Sequence, residues 1–216
     1  MTAPIPVDIW SDIACPFCYI GKRKLEAAIS STGIPVEITY HSFELDPHAT
    51  DEAPGAHTEK LAQKMGVTPQ HAAEMGQRVV DAAAQVGITM DYSRVQGTRT
   101  RTAHQLLHYA KQHGLQAEMK ERLMSAYFTD GTHVGDIEQL ADLAAELGLD
   151  RSDVVRSLTA DEHLAAVEAD VQQAQNYGIQ GVPFFVLDGK YAISGAQEPE
   201  TFARALTQVR DERVSA

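Results

Sequence analysis

Ile5-Pro6-Val7-Asp8-Ile9-Trp10 leads through Ser11-Asp12-Ile13-Ala14 into Cys15-Pro16-Phe17-Cys18, and Tyr19-Ile20-Gly21-Lys22-Arg23-Lys24-Leu25-Glu26-Ala27-Ala28-Ile29 follows. The first run reads as a strand and the last as a helix. The only two cysteines of the chain stand at their junction. A C-x-x-C pair in that place reads as a redox dithiol. With the helix starting at Pro16, Cys15 is its N-cap, and proline suits the first helical position because no N–H is needed there. The spacing brings both sulfurs to one edge of the helix, within disulfide reach. Cys15 is then expected to be the exposed sulfur, facing free backbone N–H groups and the positive end of the helix dipole, both of which favour thiolate. Cys18, a turn deeper, is expected to resolve a mixed disulfide.

If the Cys15 pKa fell from about 8.5 to about 6, the thiolate fraction at neutral pH would rise roughly thirty-fold, and nucleophilicity would drop about ten-fold. The gain in attack is small. The larger effects are a better leaving group and a stabilised dithiol, hence a more oxidising pair. Two other readings compete. The cysteines could be half of a zinc site completed by His104 and His108, four apart on a predicted helix. They could also be inert and buried.

Working outward, Gly33 breaks the first helix, and Val36 to Phe43 reads as a second strand, parallel to the first. From about 57 to 178 the period becomes helical. One helix opens at Thr68-Pro69 and carries Ala72, Gly76, Val79, Val80 and Ala83. Ala103, Leu106, Leu107 and Ala110 mark another, and Met119, Leu123, Ala126 and Tyr127 a third. Asp136 to Gln139 resembles a capping box before Ile137, Leu140, Ala141, Ala144 and Leu147. Leu164, Val167, Val171 and Ala174 mark the last of the block. Phe184–Leu187, the turn pair Asp188-Gly189 and Lys190–Ser194 read as a hairpin, with a final helix over about 199–210. A surface loop is expected from His48 to Gly55. The resulting expectation is an α/β chain in which 1–50 and 179–216 form one domain around an α-helical insertion, 51–178.

Gly181-Val182-Pro183-Phe184 admits two readings: proline at a strand start, where its missing donor falls outside the ladder, or a cis bond between Val182 and Pro183 that leaves Val182 backbone groups open to an extended substrate.

Composition narrows the function. With 216 residues there is room for a sizeable core without disulfide staples. The net charge of -12 argues against nucleic acid and against anionic membrane surfaces. No basic segment with an apolar core opens the chain, so no signal peptide is expected, nor a membrane span. Two cysteines in an unexported chain fit a reducing, cytoplasmic compartment.

The segment Ser11 to Lys22 resembles the active-site segment of DsbA-like thioredoxin-fold proteins, and within them the cytoplasmic FrnE-like oxidoreductases. Phe43-Glu44-Leu45-Asp46-Pro47, Thr98 to His104, Ala126 to Gly131, Gly178 to Val186 and Ser194-Gly195-Ala196-Gln197 resemble further segments of that family, in order along the chain. The resemblance implies a thioredoxin-like fold, a four-stranded sheet with a large α-helical insertion. It implies thiol–disulfide exchange with Cys15 attacking and Cys18 resolving, no cofactor beyond that dithiol, and a cis Pro183 beside the sulfurs. Substrate would lie against Pro16, Phe17, Val182 and Pro183. Partners would be protein thiols and disulfides or small-molecule disulfides, with glutathione a candidate co-substrate. A homodimer is expected only from the frequency of such assemblies. No second cysteine pair follows, so relay between two disulfides is not expected. Phe17 stands where relatives often have tryptophan. Glutathione-dependent isomerases and kappa-class transferases share the insertion, but typically place serine at the position of Cys15 and an acidic residue near that of Gln197.

Overall fold

In the computed structural model, residues 3–50 and 57–215 are described. β1 (Ile5–Ser11), α1 (Pro16–Thr32) and β2 (Val36–Ser42) open the chain. Seven α-helices follow among the described residues: α2 (His57–Met65), α3 (Pro69–Gln85), α4 (Arg101–Gln112), α5 (Gln116–Ser125), α6 (Ile137–Glu146), α7 (Arg151–Thr159) and α8 (Leu164–Asn176). β3 (Phe184–Leu187), β4 (Tyr191–Ser194) and α9 (Pro199–Ser215) close it. The sheet has four strands in the order β2-β1-β3-β4. β1 runs parallel to β2, with Ile9 opposite Tyr40, and antiparallel to β3, with Ile9 opposite Phe185. This is a thioredoxin-like sheet with a helical block inserted between β2 and β3.

Two cores result. One lies between the sheet, α1 and α9, where Val7, Ile9, Leu25, Phe185, Phe202 and Leu206 meet. The other belongs to the inserted helices, with Leu106, Met119, Leu123, Phe128 and Leu140 at its centre. Helix α1 spans both: its later residues Leu25 and Ala28 enter the sheet core, while Cys15, Cys18, Tyr19 and Ile20 enter the helical one. The dithiol therefore sits where the insertion closes on the sheet.

The helices begin as their caps dictate. Thr68 accepts from the His71 N–H, Asp136 from Gln139 and Asp150 from Asp153. Three details depart from the sequence reading. His57–Met65 and Arg151–Thr159 are helices that the apolar pattern did not single out. The stripe through Met119, Leu123, Ala126 and Tyr127 is not one helix, because α5 passes into a π-helical turn over Ala126–Asp130. The last helix continues to Ser215. Asp188 and Gly189 both have positive φ, 55° and 66°, as the hairpin turn requires. Of the loop expected at His48 to Gly55, residues 51–55 lie outside the described residues, as does the boundary drawn at 50/51.

The insertion is fastened to the sheet by side chains. Gln116 of α5 accepts from the Tyr40 N–H at 3.1 Å and donates to the Tyr40 carbonyl at 2.9 Å, so an amide side chain pairs with the edge strand β2. Buried Glu44 takes Arg101 at 2.9 Å and Arg99 at 3.0 Å. Glu121 accepts from Lys22 at 2.7 Å, from Tyr19 at 2.6 Å and from Arg23 of α1.

Candidate active site

Cys15 is the N-cap of α1, with extended backbone at φ −95°, ψ 110°. Pro16 occupies the first turn, where the absence of an N–H costs nothing. The Cys18 N–H donates to Cys15 Sγ at 3.3 Å, so a helix-end amide that would otherwise lack a partner is aimed at the sulfur. On its other side Cys15 Sγ donates to the Val182 carbonyl at 3.6 Å. Val182 precedes Pro183, and their peptide bond is cis. The loop before β3 is thus held against the start of α1.

Close approach there depends on Gly21. A β-carbon at that position would stand 3.0 Å from Pro183 Cγ and 3.3 Å from Phe185 Cζ. The missing side chain lets α1 lie on the Pro183 ring and brings Cys15 to Val182.

A cavity of about 700 Å³ opens over Cys15. Pro16, Phe17 and Val182 line one side, and Leu61, Met75, Val79, Tyr92 and Tyr127 of the helical block face them. Phe17, Leu45 and Met65 stay exposed at its edge. Pro183 is buried and packs behind this wall against Gly21 rather than forming part of it.

Cys15 is not the exposed sulfur of the pair. Both cysteines are buried to the same degree, 3% exposed each, because the inserted helices cover the end of α1. They titrate together. Their mutual hydrogen bond and burial push the Cys15 thiol well above the ordinary range. Burial opposes ionisation of Cys18 too, but the hydrogen bond from Cys15 and the Lys120 ammonium outweigh it and bring Cys18 below that range. The sequence reading assigned the low pKa to Cys15 from the helix end alone; the structure adds a buried cation on the other side.

That cation and a carboxylate beside it were missed. Asp12 is 2% exposed and lies three residues before Cys15. Its carboxylate accepts from the Leu45 N–H at 2.8 Å and pairs with His104 Nε2 at 3.2 Å. Burial raises its pKa, but the His104 hydrogen bond and charge, with Leu45 and Thr100, hold it below the ordinary value. Lys120 is 1% exposed, and its pKa is pulled down to about 8, chiefly by burial. One signal existed for it: Gln116, Lys120 and Met124 form a second buried row on α5 beside the apolar one. His104 and His108, weighed as zinc ligands, each face a carboxylate instead. His108 Nε2 lies 3.1 Å from Asp170. Among the described residues no group of three or more His, Cys, Asp or Glu is arranged to hold a metal ion.

A thioredoxin-like sheet, a C-x-x-C pair capping α1 and a large helical insertion define a DsbA-type architecture. The chain belongs to the DSBA-like thioredoxin domain family, whose model matches residues 6–207. It is 37% identical to a probable DsbA oxidoreductase from Streptomyces coelicolor, with a TM-score of 0.88 over 96% of this chain and 91% of that one. The uncharacterized protein YwbO of Bacillus subtilis is 26% identical over 205 residues, 94% of this chain and 96% of that protein. The cytosolic disulfide reductase DsbM of Pseudomonas aeruginosa shares the fold, with a TM-score of 0.64 and 20% identity over 95% of this chain and 98% of its own. At family level the chain stands with DsbA-like oxidoreductases. No helix among the described residues is long and apolar enough to cross a membrane.

Proposed function

We propose that this protein is a cytoplasmic thiol–disulfide oxidoreductase whose Cys15 exchanges with substrate sulfur while Cys18 resolves the mixed disulfide. One observation carries the reading: Cys15 Sγ caps α1 in the wall of an apolar cavity and lies 3.6 Å from the Val182 carbonyl. A substrate sulfur in that cavity meets Cys15, with Pro16, Phe17 and Val182 around it; Cys18, behind the first turn, has no part in the cavity wall.

A substrate thiolate attacking the Cys15–Cys18 disulfide at Cys15 expels Cys18, and a second substrate thiolate releases Cys15. In the reductive direction Cys15 attacks the substrate disulfide and Cys18 then displaces the substrate sulfur from the mixed disulfide. The substrate class is protein or small-molecule disulfides and thiols, with glutathione a candidate co-substrate. The chain's own dithiol supplies the redox chemistry.

The test is exchange with a fluorescent disulfide in glutathione buffers. Cys15→Ser is expected to abolish turnover, at least 10³-fold by loss of the nucleophile. Cys18→Ser is expected to accumulate a mixed disulfide on Cys15, visible by mass spectrometry. Full activity in Cys15→Ser sinks the proposal. Glutathione conjugation or isomerisation that persists without Cys18 would favour the transferase or isomerase reading.

A further inference from the structure

The cavity over Cys15 has a chemistry that a dithiol alone does not require. Its volume of about 700 Å³ falls inside the range of roughly 300–1,000 Å³ in which proteins enclose whole small molecules. Three aromatic rings, Phe17, Tyr92 and Tyr127, and two thioethers, Met65 and Met75, contribute to its lining. Such side chains pack well against a flat apolar ring. The apolar surface continues to the mouth. Five large apolar side chains are exposed among the described residues: Phe17, Leu45, Met65, Tyr177 and Val214. The first three stand together at this one opening, and exposed apolar surface gathered in one place marks a binding site.

The charge of the lining runs against that of the protein. The chain carries a net charge of -12. Yet the described lining residues include three cations, Lys60, Lys64 and Arg78, against two carboxylates, Asp12 and Asp46. Both carboxylates have partners: Asp12 faces His104 at 3.2 Å, and Asp46 faces Lys64 at 2.7 Å. Arg78, exposed on α3, makes no ion pair or hydrogen bond among the described residues. A guanidinium left open beside an apolar cavity suits a carboxylate, which it can take in a bidentate pair.

Peptide substrates suit this lining less. A cysteine in a polypeptide enters with backbone N–H and C=O groups on both sides, and each needs a partner once water is displaced. The Val182 carbonyl in the wall already accepts from Cys15 at 3.6 Å. Glutathione brings an ammonium and two peptide groups, with little apolar surface to bury.

We propose that the cavity takes a small disulfide with an aromatic body and a carboxylate. The ring lies among the aromatic and methionine side chains, the carboxylate pairs with Arg78, and the reacting sulfur meets Cys15. Arg78 is then a specificity-determining residue that acts on binding. The inference rests on the oxidoreductase reading and deepens it by naming the substrate class.

Redox-inert thioethers test it, titrated calorimetrically into the reduced protein. 4-(Phenylthio)benzoate is expected to bind saturably and to shield Cys15 from alkylation by iodoacetamide. 4-(Phenylthio)benzamide, the same body without the charge, is expected to bind about tenfold more weakly, the loss of one charge-assisted pair. S-Methylglutathione is expected to bind more weakly still. Arg78→Gln is expected to bring the benzoate down to the affinity of the benzamide and to leave the benzamide unchanged, while Arg78→Lys keeps a preference for the benzoate. The proposal is overturned if the benzoate does not saturate, or saturates without protecting Cys15. Equal binding of benzoate and benzamide, or an Arg78→Gln variant that behaves as wild type, overturns it as well. So does S-methylglutathione binding as tightly as the benzoate. Displacement of the benzoate by unfolded S-carboxymethylated polypeptide, at lower concentration than by the benzamide, would assign the cavity to protein substrates instead. Thioethers exchange nothing, so turnover of the fluorescent disulfide without benzoate binding sinks this inference alone.

Discussion

Asp12 carries more of the site than its place outside the C-x-x-C motif suggests. Its carboxylate occupies the bend between β1 and α1, accepting from the Leu45 N–H at 2.8 Å and meeting His104 at 3.2 Å. Both partners belong to segments beyond the first strand, so Asp12 joins three parts of the chain at one buried point. Replacing it with alanine leaves a buried amide and an imidazole without their acceptor. Each such loss costs about 1–3 kcal/mol, and about 3 kcal/mol in all is expected for Asp12→Ala. In a chain of this size that corresponds to a Tm lower by roughly 6–12 °C. The effect has a direction in pH. The folded-state pKa of Asp12 is depressed, so its contribution is fully present above the ordinary carboxylate range and is lost as pH falls through the folded value. Thermal unfolding of Asp12→Ala and wild type is therefore expected to converge in acid. A constant gap down to pH 2 would count against the ionised carboxylate as the cause.

At the scale of elements, the geometry of the site depends on how α1 lies against the loop before β3. Gly21→Ala tests this. The added methyl meets the Pro183 ring at 3.0 Å, a buried group held between Gly21 and β3, and α1 must shift. Overpacking of this kind costs about 1–3 kcal/mol. Because Cys15 stands at the end of the displaced helix, exchange activity is expected to fall by more than stability explains, read as a lower kcat/KM in protein still fully folded. Unchanged kcat/KM would show that the approach of α1 to Pro183 does not position the sulfur. The same element shows what the sequence made legible. Cys15, Pro16 and the helix start are local: an N-cap, a first-turn proline and a capped amide all lie within four residues. The sheet ends were readable for a like reason, with alternation in β1 and a turn pair at Asp188-Gly189. What the pattern could not reveal was non-local. The burial of Cys15 comes with its place in the core of the inserted helices, whose residues follow it by more than forty positions. The π-helical turn at Ala126–Asp130 keeps an apolar period close to that of an α-helix. Lys120 is buried by its neighbours in space, whereas charge in a sequence signals solvent.

For the whole molecule, the attachment of the helical insertion to the sheet is expected to depend on pH through His41. Its ring stacks on Trp10 at 4.5 Å, and its nitrogens lie 2.8 Å from Asp8 on β1 and 2.8 Å from Asp170 on α8. Only the doubly protonated ring donates to both carboxylates. Asp170 also accepts the Ser42 N–H at 2.8 Å and faces His108 at 3.1 Å, so one carboxylate ties α4 and α8 to β2. Burial opposes the His41 charge, but the Asp170 and Asp8 hydrogen bonds outweigh it and raise its pKa. Burial likewise opposes charge on Asp170, yet its histidine partners push its pKa far down. The two signs bracket a window. A raised histidine contributes stability that is complete below the unfolded value of about 6.5 and fades as pH rises through the folded one. A depressed aspartate contributes above the unfolded value of about 3.9 and fades as pH falls through its own. This attachment is therefore strongest between about pH 4 and 6.5 and weakens on the alkaline side first. His41→Phe keeps the stacking on Trp10 but removes both hydrogen bonds. It is expected to cost about 2–4 kcal/mol at pH 6 and distinctly less at pH 9, where the wild-type ring is neutral. Hydrogen exchange in α8 and β2, compared at the two pH values, locates the loss. Equal destabilisation at both, or protection lost evenly through the sheet core, would show that His41 packs there without acting as a cation.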